Sequence, residues 1–177
     1  MNQVKHKVQN EVEREADKDA VDAITAQWAA VRPDLDTTPM AVFGRIYRIS
    51  KAVGDAVERA YNRHGITRGE FDVLATLRRS GAPYTLSPRE LSATLMLTTG
   101  GMTGRLDKLE KAGLLTRSPD PHDRRGLQVT LTDRGLALAD EAVSAGLAVH
   151  HAALAHFDPE EVEQLTGLLR RLLADMP

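Results

Sequence analysis

The chain has 177 residues, 42% hydrophobic and 27% charged, with a net charge of −2. Such a chain fits one ordinary domain, or one domain with an added arm, and its apolar fraction excludes disorder throughout. The absence of cysteine excludes a disulfide framework, a cysteine-ligated metal and a cysteine nucleophile.

Residues 1–16 are polar and charged and read as a frayed arm. They lack the apolar core of a signal peptide, and no later run offers the roughly 18 apolar residues of a membrane helix, so cytoplasmic residence is expected. Val21, Ile24 and Trp28, at spacings of three and four, predict a helix from Asp19 to Val31, ended by Pro33. Thr38-Pro39 reads as the start of a second helix, with Val42, Phe43, Ile46, Ile49, Val53, Val57 and Tyr61 on one stripe as far as Gly65. That stripe fits a dimer seam or an internal core equally well. Thr67 and Glu70 have capping-box spacing ahead of Phe71, Leu74 and Leu77. Tyr84 to Leu86 reads as a short strand, and Ser87-Pro88-Arg89-Glu90 as a second capping box opening a short helix to Thr94. A further helix follows from Leu97 to Gly113, and two short helices joined by a tight turn form a helix-turn-helix. Leu114 to Ser118 and Leu127 to Leu131 read as a hairpin with a charged tip. Thr132 then caps a helix from Asp133 to about His156, and Asp158-Pro159-Glu160-Glu161 opens a terminal helix bearing Val162, Leu165, Leu168, Leu169 and Leu172.

Charge is unevenly spread. From Arg78 to Arg134 there are 10 Lys/Arg against 6 Asp/Glu, whereas the remainder holds 13 against 19. A basic middle between acidic flanks points to a local polyanion contact. The helix from Leu97 has the two faces that a major-groove reader needs. Met102, Leu106 and Leu109 form an apolar back, while Thr98, Thr99, Gly100, Thr103 and Lys108 are the candidate DNA contacts. Gly100, Gly101 and Gly104 each weaken the helix, and either close backbone approach to DNA or a frayed first turn accounts for them. Arg124 and Arg125 at the hairpin tip suit the negative potential of a minor groove, with Asp120 and Asp123 orienting them. An isolated turn of this composition would read as solvated surface; its place after a helix-turn-helix favours a DNA-binding wing.

The segments Leu109-Glu110-Lys111-Ala112-Gly113-Leu114-Leu115-Thr116-Arg117, Asp120-Pro121-His122-Asp123-Arg124-Arg125 and Leu131-Thr132-Asp133-Arg134-Gly135 resemble, in order and spacing, the MarR family of winged-helix regulators. The resemblance extends from about Pro39 to Leu173. It implies a mainly α fold, a winged helix-turn-helix with a two-stranded wing hairpin and a helical dimerisation region built from both chain ends. On that reading residues 1–36 are an arm and extra helix, 37–66 a scaffold and dimerisation helix, 67–131 the DNA-binding domain and 132–177 the C-terminal dimerisation helices. The implied activity is repression from a pseudo-palindromic DNA operator by a homodimer that a small molecule releases.

Arg105 stands on the apolar stripe beside Met102, Leu106 and Leu109, where a guanidinium needs a partner or a wet pocket. Asp72, flanking the core face of an earlier helix, is a candidate partner. Trp28, the only tryptophan, and Arg117, near the wing base, taken singly read as a packing anchor and a structural cation. Together Trp28, Asp72, Arg105 and Arg117 resemble the urate-responsive branch of the family, the HucR and PecS type. That resemblance implies urate or a related purine as effector, with no cofactor and no metal. An anion entering beside Asp72 would repel its carboxylate, turn Arg105 and move the recognition helix. The rivals are a family member answering phenolic or antibiotic compounds and a winged helix used as a protein-interaction module. An enzyme is not expected: no nucleophile triad, phosphate loop or carboxylate pair stands out, and His150, His151 and His156 lack the i, i+4 spacing of a helical metal site.

Overall fold

A computed structural model describes residues 18–95, 99–121, 126–174 and 176. The element order is α1 (Ala20–Val31), α2 (Thr38–Arg63), α3 (Arg68–Arg79), β1 (Thr85–Leu86), α4 (Pro88–Leu95), α5 (Thr99–Lys111), β2 (Leu115–Pro119), β3 (Leu127–Leu131), α6 (Asp133–Ala153) and α7 (Pro159–Ala174). The mainly helical class and the helix-turn-helix, α4 and α5, are as the sequence predicts. The hairpin differs in one respect: β1 joins it, and the sheet has three antiparallel strands in the order β1-β3-β2. Thr85 faces Thr130 in that register, and their hydroxyls are 2.8 Å apart.

The chain divides into two compact units, Met1–Ala52 and Val53–Pro177, with the division inside α2. In the first unit, Asp19 caps α1 through a reciprocal box with Asp22. Arg45 then ties that turn to α2, with Nε 2.8 Å from Asp19 and Nη2 2.7 Å from Asp22. Val21 is buried against Gly44, where a Cβ would press on its methyl at 3.0 Å.

In the second unit, helix starts are set by their own side chains. Thr67 Oγ1 accepts from Glu70 N while Glu70 returns a bond to Thr67 N, satisfying two otherwise orphaned donors. Ser87 with Glu90 and Asp158 with Glu161 repeat the arrangement. The core is continuous: Val73, Leu74 and Leu77 of α3, Leu91 of α4, Met102, Leu106 and Leu109 of α5, Leu115 and Val129 of the sheet, and Ala139 and Ala142 of α6. Gly135 lets α6 start against the strand entry, since a Cβ there would overlap the carbonyl of Leu114. The predicted stripe of α2 divides. Val57 and Tyr61 are buried, whereas Val42, Phe43 and Ile49 are exposed.

Candidate nucleic-acid interface and effector site

Helix α5, the candidate recognition helix, has the predicted asymmetry. Met102, Leu106 and Leu109 are each 2% exposed and rest on the core. Gly100, Thr103, Gly104, Asp107, Lys108 and Lys111 face outward. A Cβ at Gly100 or Gly104 would meet nothing within 4 Å, so both glycines bare the backbone on the outer face. Of the other candidate DNA contacts, Thr98, Arg124 and Arg125 lie outside the described residues, as do Asp123 and the side chain of Thr99. The wing leading to that tip is described. Its strands pair from Leu115 with Leu131 to Pro119 with Leu127, and Asp120 N donates to Gly126 O at 3.0 Å to close the base of the loop.

Polar contacts fix α5 on two sides. On one, Arg105 Nη1 donates to the carbonyl of Gly69 at 3.2 Å, and Lys108 Nζ lies 4.0 Å from Glu70. On the other, Arg117 on β2 reaches back to two carboxylates of α5, with Nη1 2.7 Å from Asp107 and Nη2 2.5 Å from Glu110. Its backbone N–H also donates to Glu110 at 3.1 Å. The Arg117 bond holds the Glu110 carboxyl below the ordinary range, and Glu110 raises the Arg117 guanidinium in return. Neither Asp107 nor Glu110 stands out in the sequence as a site residue. Their signal is an acid late in a helix facing a cation on the strand that follows.

Asp72 lies one turn beyond Gly69 on α3 and is partly buried. Burial pushes its carboxyl up, while the nearby positive charges of Arg68, Arg105 and Arg79 pull it down and Glu58 pushes it up. The candidate pair of Asp72 with Arg105 is not closed: the guanidinium donates to Gly69 instead, and Asp72 forms no ion pair among the described residues. The second unit thus brings Asp72 into the field of Arg105 and places Arg117 on the far side of α5. Trp28 belongs to the first unit and is 41% exposed on α1.

A cleft of about 570 Å³ opens between α3 and α6. Tyr61 and Phe71, stacked with centroids 4.2 Å apart, line its apolar floor, and Arg78, Arg79 and His150 bring polar groups to it. Arg78 is held by Asp140 at 2.8 Å and lies over the Tyr84 ring. Sequence reading did not find this cleft, and Asp72, Arg105 and Arg117 do not line it. Among the described residues no group of three His, Asp or Glu has metal-binding geometry. No described helix is long and apolar enough to cross a membrane.

Residues 64–126 match the MarR family profile. The chain is 41% identical over 152 residues to the HTH-type transcriptional regulator PecS of Dickeya dadantii, an alignment spanning 86% of this chain and 92% of that one. This chain belongs to the MarR family. It is also 30% identical over 131 residues to the multiple antibiotic resistance protein MarR of Escherichia coli, covering 71% of this chain and 89% of the relative. A mutant MarR from E. coli complexed with operator DNA superposes with a TM-score of 0.64 at 25% identity, covering 82% of this chain and 97% of that one. The apo form of MarR superposes at 0.63 with 29% identity over 73% of this chain and 95% of its own. As a member of this family the protein is a DNA-binding transcriptional regulator rather than an enzyme. The winged helix described above is the family's fold.

Proposed function

We propose that this MarR-family protein is a cytoplasmic repressor that binds a pseudo-palindromic operator as a homodimer and is released by urate or a related purine anion. The homodimer is supported by the apolar residues left uncovered on the first half of α2 and along α7, among them Phe43, Ile49, Leu168 and Leu173. A second copy would cover such faces and set two recognition helices at a fixed spacing.

The observation that carries the effector reading is Asp72: a partly buried carboxylate outside any described ion pair, in the field of Arg105 on the DNA-reading helix. Urate is a flat monoanion at neutral pH. Bound beside Asp72 it would repel that carboxylate and offer Arg105 a better acceptor than the Gly69 carbonyl. Arg117 is the second candidate ligand, and an anion must compete there with Asp107 and Glu110. The family resemblance gives Trp28 the stacking role, which Trp28→Ala tests separately. Release requires that the anion bind the DNA-incompetent arrangement more tightly than the DNA-bound one.

The test is a titration of an operator duplex at fixed salt with urate, xanthine and salicylate. Release by urate at concentrations where salicylate leaves the complex intact is expected, and Arg105→Ala should raise the urate midpoint. Operator binding indifferent to urate would remove the purine reading and leave the regulator. The cleft beside Tyr61 and Phe71 favours one alternative, a regulator answering phenolic compounds. Preferential release by salicylate, lost in Arg79→Ala, is its signature.

A further inference from the structure

Gly69 is the second residue of α3, where its φ is ordinary and nothing in the backbone calls for glycine. Glycine is the poorest helix former after proline, so its place there weakens the helix without a local return. The return lies across the gap to α5. A Cβ at position 69 would stand 2.7 Å from the guanidinium carbon of Arg105 and 2.9–3.0 Å from its two terminal nitrogens. The guanidinium therefore lies flat against the bare Cα, and from there it donates to the Gly69 carbonyl.

We infer that Gly69 is a positioning residue for DNA recognition: the side-chain-free first turn of α3 is the seat on which Arg105 fixes the setting of the recognition helix. The apolar back of α5 cannot do this alone, because packing of Met102, Leu106 and Leu109 is non-directional and tolerates a small rotation about the helix axis. A hydrogen bond with defined partners does not. Glu70, the next residue, faces Lys108 one turn further along α5, so the same turn of α3 meets the helix at two places. Asp72 lies one turn beyond the seat, and its carboxylate feels the charge of the same guanidinium. With position 69 filled, the flexible end of Arg105 yields rather than the backbone, so the fold survives while the helix loses its setting. The inference depends on DNA binding and not on the identity of the effector.

The experiment compares wild type, Gly69→Ala, Arg105→Ala and the double variant. Each is titrated at fixed salt against an operator duplex that the wild-type protein selects from a random library, and each is melted thermally. Gly69→Ala should bind about tenfold more weakly or worse, on the scale of one hydrogen bond to a charged group. Its melting temperature should be unchanged or raised, since alanine is the better helix former. In the Arg105→Ala background the same substitution should cost nothing further, because the group it displaces is gone. Guanidinium proton exchange of Arg105, followed by NMR without DNA, should quicken in Gly69→Ala. Wild-type affinity in Gly69→Ala overturns the inference, as does an equal loss in both backgrounds. A lowered melting temperature that Arg105→Ala does not relieve, or unchanged guanidinium exchange, also overturns it.

Discussion

The apolar faces of α5 and α7 look alike in the sequence and end differently. Both carry large aliphatic side chains at spacings of three and four. On α5 those residues are closed off within the chain, Met102, Leu106 and Leu109 at 2% exposure. On α7 Leu168 and Leu173 stay 61% and 73% exposed, and no residue of that helix is buried. The long helix α2 contains both outcomes, buried at Val57 and Tyr61 and open at Phe43 and Ile49. Spacing therefore identifies an apolar stripe without saying what covers it. The closed stripe of α5 belongs to the core of the helix-turn-helix, and the open faces are those proposed above to meet a second copy.

Four substitutions test this contrast. Leu74 is wholly buried in the core, so Leu74→Ala should cost about 2–5 kcal/mol in a denaturant titration. Its effect should be on folding, with no specific change in assembly. Leu168→Asp on the open face should do the reverse, leaving the circular dichroism spectrum intact and moving the protein to monomer in sedimentation. Operator affinity should then drop roughly a hundredfold as two linked half-site contacts become one; an unchanged oligomeric state would mean that α7 is simply solvated. Thr67→Ala removes one capping acceptor at the start of α3 and should cost about 1 kcal/mol, read as a lowered melting temperature.

The smallest effect belongs to Asp72→Asn. Burial raises the Asp72 carboxyl above its ordinary 3.8, so folding disfavours the ionised form. That cost is present above the raised value and fades as pH falls toward the ordinary one. The asparagine variant should therefore melt slightly higher at neutral pH, and its advantage should vanish on acidification through the carboxylate range. An advantage that grows with acid would contradict the burial of Asp72.

Features decided within a few residues were legible in the sequence. The boxes at Thr67, Ser87 and Asp158 were readable because the capping group and its partner are three residues apart. The box at Asp19 was not, since an aspartate takes the place usual for glutamate. Strand β1 could be read but not its place in the sheet, because its partner Thr130 lies 45 residues on. Arg105 announced itself as a charge on an apolar stripe, yet its acceptor is a backbone carbonyl, which no side-chain pattern marks. Gly69 was silent for the same reason: a residue that acts by having no side chain leaves no chemical signature. The wing arginines and the resemblance to the MarR family came from motif order, which folding physics alone would not supply.

Arg117 also sets the charge balance of α5. Across Thr99–Lys111, Arg105, Lys108 and Lys111 stand against Asp107 and Glu110, so α5 by itself is only marginally cationic. Arg117 masks both acids from the next strand. An anion that captured Arg117 would add its own negative charge and also uncover two more on the helix proposed to face phosphates. Repulsion would then loosen the complex even before any helix turns, and the loosening would weaken as salt screens it.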